Sequence, residues 1–313
     1  MIPVGASAPG KALLCGEYAV LEGAPAVVAA VDRRVSVLWS DESESVPVPP
    51  EVSATVQRTE EELGPLPRHV TVNVSNLRQG RVKLGLGSSA AAAVATAGAG
   101  FAAYGHELGD SATLQRVFSI ALDGHASIAP QGSGVDVAAS TFGGFLRFTR
   151  AQDDLEVRPL TRPSNLVIRL VWTGHAARTS ELVGKVKALR EHAPGEYRAC
   201  MDRLSDLSQR FASAFEAGRA ADVVTEAARY SKAMDTLGAA AKAPLVDERL
   251  ALAGQLAARF SGSAKPCGAG GGDVAIAFFV DSDAAKGFEL ACKDDGLHPI
   301  DVSWGATGVR VCR

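Results

Sequence analysis

At 313 residues the chain is long enough for one large domain or two ordinary ones, each with a buried core. Hydrophobic residues make up 47%, which excludes a disordered chain. A balance of 32 Lys plus Arg against 35 Asp plus Glu gives a formal charge of −3 and no field that calls for nucleic acid or an anionic membrane surface. The five cysteines (Cys15, Cys200, Cys267, Cys292 and Cys312) form no CxxC pair. Neither a zinc site nor a disulfide framework is expected, and reduced thiols in a cytoplasm fit. The N-terminus lacks the basic and apolar regions of a signal peptide, and no run of about 18 apolar residues predicts a membrane span.

In chain order, residues 24–38 are rich in Val and Ala and interrupted by Asp32-Arg33-Arg34, which predicts strands around a turn. Residues 41–62 are acidic and carry prolines, which predicts an exposed loop or edge hairpin. His69-Val70-Thr71-Val72-Asn73-Val74 alternates with period two, as a half-buried strand does. Helices are predicted over 88–104 and 110–126, the second capped by Asp110 or Ser111, with a strand over 143–148. Two prolines among charged residues at 158–164 place a domain boundary, giving domains 1–162 and 163–313. Beyond it come a strand at 166–172, helices through 180–260 broken at Pro194-Gly195, Gly218 and Pro244, a buried strand at 274–280 and a closing strand or hairpin at 302–311.

Four glycine-bearing segments carry the functional signal. From Gly5 the chain reads G-x-x-x-x-G-K, but Ala12 stands where a P-loop needs the hydroxyl of Ser or Thr. A surface turn with a solvated Lys11 is the plain alternative, and the apolar Ala12-Leu13-Leu14-Cys15 that follows, ahead of Glu17, argues against it. Gly85-Leu86-Gly87-Ser88-Ser89-Ala90 leads into a predicted helix, whose N-terminus exposes unpaired N–H groups and positive dipole charge. Glycines let a phosphate approach the backbone, and the serine hydroxyls can add hydrogen bonds or a magnesium contact; ordinary serine capping is the alternative. Lys265-Pro266-Cys267-Gly268-Ala269-Gly270-Gly271-Gly272-Asp273 places four glycines in five residues before an apolar strand. Such a run is costly in chain entropy and suits close approach to a ligand, or else a flexible turn. In Gly132-Ser133-Gly134-Val135-Asp136 the acid is either functional or a turn former.

Taken in order, these segments resemble the motifs of the GHMP kinase superfamily of galactokinase, homoserine kinase and mevalonate kinase. The resemblance covers nearly the whole chain. Motif one is similar to Pro9-Gly10-Lys11 through Gly16-Glu17-Tyr18-Ala19-Val20-Leu21, motif two to residues 85–91 and motif three to residues 265–273. The resemblance is strongest to the phosphomevalonate kinases. They carry Gly-Glu-Tyr-Ala-Val-Leu, where mevalonate kinases usually have Glu-His in place of Glu17-Tyr18. Residues 132–139, Trp172-Thr173-Gly174 with Thr179-Ser180, and motif three, with Cys267 where Ser is common, also resemble theirs. Diphosphomevalonate decarboxylases differ at motif three.

The resemblance implies an α+β protein of two domains, the N-terminal one like the ribosomal-S5 second domain and the C-terminal one ferredoxin-like, with the nucleotide between them. It implies ATP with Mg²⁺ as the phosphoryl donor and 5-phosphomevalonate as the acceptor, with neither nucleic acid nor membrane as a partner. Mevalonate kinase activity and a catalytically silent nucleotide sensor are the alternatives. The expected catalytic residues are Lys11 and Asp136. The triphosphate is expected at Gly85, Gly87, Ser88, Ser89 and Ala90. The acceptor is expected at Lys11, Glu17, Tyr18, Ser133, Gly134, Gly268, Ala269, Gly270 and Arg178, with Arg147 and Lys185 as weaker candidates. Where mevalonate kinases carry a metal-binding Glu this chain has His125, so magnesium is assigned to Ser88 and Ser89, with Asp123 as an alternative.

Overall fold

The structure is a computed structural model that describes residues 4–40, 48–66, 69–80, 82–151 and 154–312. The chain runs β1 (Val4–Cys15), β2 (Ala26–Ser40), α1 (Pro50–Leu63), β3 (His69–Asn73), β4 (Arg78–Gln79), β5 (Val82–Lys83), α2 (Ser88–Ala103), α3 (Ser111–Ala126), α4 (Val135–Phe142), β6 (Phe145–Ala151) and β7 (Asp154–Leu160). It continues through β8 (Val167–Trp172), α5 (Thr179–His192), α6 (Pro194–Glu216), α7 (Ala220–Ala240), α8 (Glu248–Arg259), β9 (Ser263–Pro266), β10 (Val274–Phe279), α9 (Ser282–Asp294), β11 (His298–Ile300) and β12 (Arg310–Cys312). The fold is α+β, as expected. No described helix is long and apolar enough to cross a membrane.

The chain divides into two compact units, each discontinuous: residues 1–12, 28–146 and 303–313 form one, residues 13–27 and 147–302 the other. This differs from a single boundary at 162/163, and the reason is long-range pairing inside each unit. In the first, β12 returns to β1, with Gly5 opposite Cys312 and Ser7 opposite Arg310. In the second, residues 13–27 are fastened by Ser208 Oγ, which donates to Pro25 O, and by Tyr230 Oη, which donates to Glu17 O at 2.7 Å.

The first unit's sheet runs β12-β1-β2-β6, with β3 also paired to β2. Here β2 is one continuous strand and not two strands around a turn. Its charged trio is satisfied in place. Asp32 Oδ1 accepts from Ser303 N at 2.8 Å, Arg33 donates to Asn76 O at 3.3 Å, and Arg34 donates to Ser7 Oγ at 2.9 Å and to the Thr307 and Gly308 carbonyls at 2.7 Å. Residues 50–63, expected as loop or hairpin, form α1; residues 41–47 lie outside the described residues. The buried face of α1 consists of Val52, Thr55 and Thr59, whose hydroxyls turn back onto Glu51 O and Thr55 O. Its neighbours meet it with glycines. A methyl group added at Gly124 of α3 lies 2.3 Å from Thr55 Oγ1, and one at Gly100 of α2 lies 2.5 Å from Thr59 Cγ2. Helix α2 is buried from Ala90 to Phe101, because its small side chains permit close packing against neighbouring backbone.

In the second unit the sheet order is β11-β8-β10-β9, all antiparallel. The central strand β10 is buried at every residue. With period two, Ala275, Ala277 and Phe279 enter a core with Leu250, Leu256 and Phe288, while Phe278 packs on Phe211 of α6 with ring centroids 5.6 Å apart. The expected breaks at Pro194, Gly218 and Pro244 separate α5, α6, α7 and α8.

Candidate functional site

Lys11 is part of β1 and not of a surface turn. Its backbone N–H donates to Leu86 O at 2.9 Å, so the strand lies directly under the Gly85-Leu86-Gly87 turn. Gly10 has no room for a side chain there, since an added methyl sits 2.7 Å from Leu86 O. The Lys11 stem runs along Gly87, where an added methyl meets Lys11 Cγ at 2.9 Å, and Nζ reaches Gly85 O at 3.5 Å. Gly85 and Gly87 both have positive φ, 72° and 77°. Gly87 is the N-cap of α2, with no side-chain cap, and half-buried Ser88 and Ser89 occupy the first turn. The serines therefore do not cap this helix. Its leading N–H groups are those that an α-helix leaves without intrahelical partners.

Helix α4 begins in the same manner, with Gly134 as an uncapped N-cap at φ 86°. Asp136 stands in its first turn, partly exposed, with Oδ1 accepting from Val137 N at 3.0 Å. Ser133 Oγ accepts from Val135 N at 3.3 Å. One turn beyond Asp136, Ser140 Oγ donates to Pro9 O at 2.8 Å, which ties α4 to β1 two residues before Lys11. Through these links the first unit gathers Lys11, residues 85–90 and residues 133–136. Among the described residues no ion pair joins Lys11 to Asp136. His125 is buried in α3 and Asp123 is exposed. Among the described residues no three His, Cys, Asp or Glu side chains cluster as a metal site.

The second unit brings Glu17, Tyr18 and the glycine-rich segment together. Glu17 and Lys265 are 2% and 1% exposed and form an ion pair. Lys265 Nζ also donates to Pro266 O at 2.7 Å and lies 5.7 Å from the Tyr230 ring centroid. Tyr18 Oη donates to Ala269 O at 2.7 Å. Burial, and then the Glu17 charge, pushes the Tyr18 hydroxyl well above its usual range, so it stays a donor. Gly270, Gly271 and Gly272 are closely packed. Gly271 N donates to Leu245 O at 3.1 Å, and an added methyl at Gly272 meets the His175 ring at 2.9 Å. Gly268, with φ 139°, has open space where a side chain would stand.

Arg178 is at the N-cap position of α5 with its side chain 87% exposed, 3.7 Å from Glu181. Arg147 is held by Glu216 at 3.0 Å and Lys185 by Glu181 at 3.1 Å. Sequence reasoning did not find Tyr230, Leu245 or His175 as neighbours of the motifs. No local signal could have, because the Tyr230–Glu17 bond spans 213 positions.

A strand-borne lysine beneath a glycine turn, two uncapped helix starts and an acid in the first turn of one of them offer the donors and the charge that a phosphate-bearing ligand needs. The GHMP kinases N terminal domain family model matches residues 51–144. The chain is 30% identical to the phosphomevalonate kinase of Streptomyces sp. (strain CL190), over 89% of this chain and 90% of that protein. It is 29% identical to the mevalonate kinase of Aeropyrum pernix, over 91% of each. The structure of Streptococcus pneumoniae phosphomevalonate kinase in complex with phosphomevalonate and AMPPNP superposes with a TM-score of 0.81, at 20% identity, over 97% of this chain and 100% of that one. The chain belongs to the GHMP kinases. It is an ATP-dependent small-molecule kinase of the mevalonate pathway.

Proposed function

We propose that the acceptor is 5-phosphomevalonate and the product 5-diphosphomevalonate. The observation that carries this reading is the match, at 30% identity over 89% of this chain and 90% of the relative, to a phosphomevalonate kinase. In the reaction an oxygen of the acceptor phosphate forms a bond to the γ-phosphorus of ATP, the bond to the β-phosphate bridging oxygen breaks, and ADP leaves. Catalysis of such a transfer is positioning and charge stabilisation. The N–H groups at Gly87, Ser88 and Ser89 bind the triphosphate. Lys11 offsets the charge on the transferring group. Asp136 orients Lys11 or the acceptor, and Ser133, Gly134 and residues 268–270 contact the acceptor. Arg178 is the first candidate for its phosphate, since an exposed guanidinium can reorient to grip a dianion through two bonds.

When bound, magnesium would supply further neutralisation of phosphate charge. The residues present fit it. The Ser88 and Ser89 hydroxyls in the first turn of α2 would hold it as oxygen ligands, with Asp123 as the alternative.

The mevalonate kinase reading is favoured by the match to the Aeropyrum pernix enzyme. ADP release measured with each acceptor separates the two. Turnover with phosphomevalonate and little with mevalonate is expected. The reverse preference overturns the assignment, and silence with both acceptors favours the sensor.

A further inference from the structure

We infer that Glu17, Tyr18 and Lys265 are positioning residues that set the conformation of the 267–272 loop, and that neither charge of the Glu17–Lys265 pair touches a ligand. The inference rests on the reading that this loop contacts the acceptor. Both members of the pair are enclosed, at 2% and 1% exposure, and belong to segments separated by 248 positions. Burying two charges costs several kcal/mol per ion in lost hydration, and an apolar pair is often as stable. What a buried pair does supply is a specific register, here between the turn after β1 and the strand that opens the glycine-rich loop.

The surroundings fix that register twice more. Tyr230, fully buried, donates to the Glu17 carbonyl at 2.7 Å. Tyr18 has φ 62° and ψ −49°, a positive-φ conformation outside the regions a bulky residue ordinarily adopts, and such strain persists only where neighbours over-determine it. Two residues earlier Gly16, φ 112°, has no room for a side chain, since an added methyl meets Ala26 at 2.6 Å. The strained residue carries its phenol to Ala269 O, in the middle of the loop. At the loop's ends Cys267 N donates to Val274 O at 2.9 Å and Asp273 N to His175 O at 2.9 Å. The Tyr18 hydroxyl is thus a side-chain tie between the 16–18 turn and the loop, and among the loop's glycines Gly268 has open space in front of it.

Tyr18→Phe removes one hydrogen bond and keeps the ring, so folding is preserved. Hydrogen–deuterium exchange of peptides covering 266–273 reads the loop directly, with no substrate present. Loss of one hydrogen bond is expected to speed exchange there by about threefold to tenfold, with peptides of α2 and α3 unchanged. With substrate, the acceptor KM rises and kcat changes less. Lys265→Arg retains more of the wild-type protection than Lys265→Met. Unchanged exchange at 266–273 in Tyr18→Phe overturns the inference, and a raised KM beside unchanged exchange assigns the hydroxyl to the acceptor itself. Because exchange needs no turnover, the result stands whether or not phosphomevalonate proves to be the acceptor.

Discussion

Lys11 and Asp136 are reached from opposite directions: one from a strand beneath a glycine turn, the other from the first turn of a helix anchored to the same strand by Ser140. In Lys11→Ala the backbone bond to Leu86 survives, so the fold should hold while kcat falls by about 10²–10³, as when one preorganised charge donor is lost from a transition state. Near-normal turnover in the folded variant removes Lys11 from the mechanism. Asp136 is tested through pH. A phosphate monoester has its second ionisation near ~6, so at neutral pH the acceptor is mostly a dianion and needs no base. The acid limb of kcat/KM then belongs to the substrate, and Asp136→Asn should retain it. A hydroxyl acceptor does need a base, worth about 10²–10⁴. Efficient mevalonate phosphorylation that collapses in Asp136→Asn therefore reverses the acceptor assignment. Both residues stood out in the sequence as candidates, each near glycines. The Glu17–Lys265 pair was legible only as two motif letters, because nothing local tells a buried charge from an exposed one.

At the scale of single elements, α2 joins function to packing. Its first turn is expected to hold the nucleotide, and its remaining length is small residues buried in the first unit. Ser88→Ala and Ser89→Ala should raise the KM for MgATP before that for the acceptor; steady-state kinetics with each substrate varied checks this, and a change confined to the acceptor reassigns the turn. The crossing of α1 and α3 is testable by size. Gly124→Val drives a side chain into Thr55 and should destabilise by about 1–3 kcal/mol, read from the urea midpoint. Helix α1 was missed in the sequence for the same reason that Gly124 is needed. Its buried face is Val52, Thr55 and Thr59, which carries little of the apolar periodicity that marks a helix, and acids dominate the rest. Helices α5 to α8, with prolines and glycines between larger apolar stripes, were plain, whereas α9 was not read from the sequence. The division of β2 was misjudged because Asp32-Arg33-Arg34 resembles a turn, whereas each charge has a partner reached from within the strand.

For the molecule as a whole, class and family were readable because three motifs occur in order, and the make-up of the compact units was not. Compactness follows from pairings that close over most of the chain, such as β12 with β1, and sequence spacing carries no trace of them. That pairing has a consequence for biosynthesis. The first unit needs residues 303–312: β12 on β1, the Thr307 and Gly308 carbonyls on Arg34, and Val309 N on Thr141 O, in the helix that carries Asp136. Domains generally fold as they emerge, N-terminal first. Here residues 147–302, the bulk of the second unit, leave the ribosome before the last strand of the first unit exists. The unit that begins first is completed last, and until then β1 waits with an open edge. Lys11 sits in that waiting strand, so a chain cut before Arg310 has its motifs intact in sequence and no finished sheet to hold them.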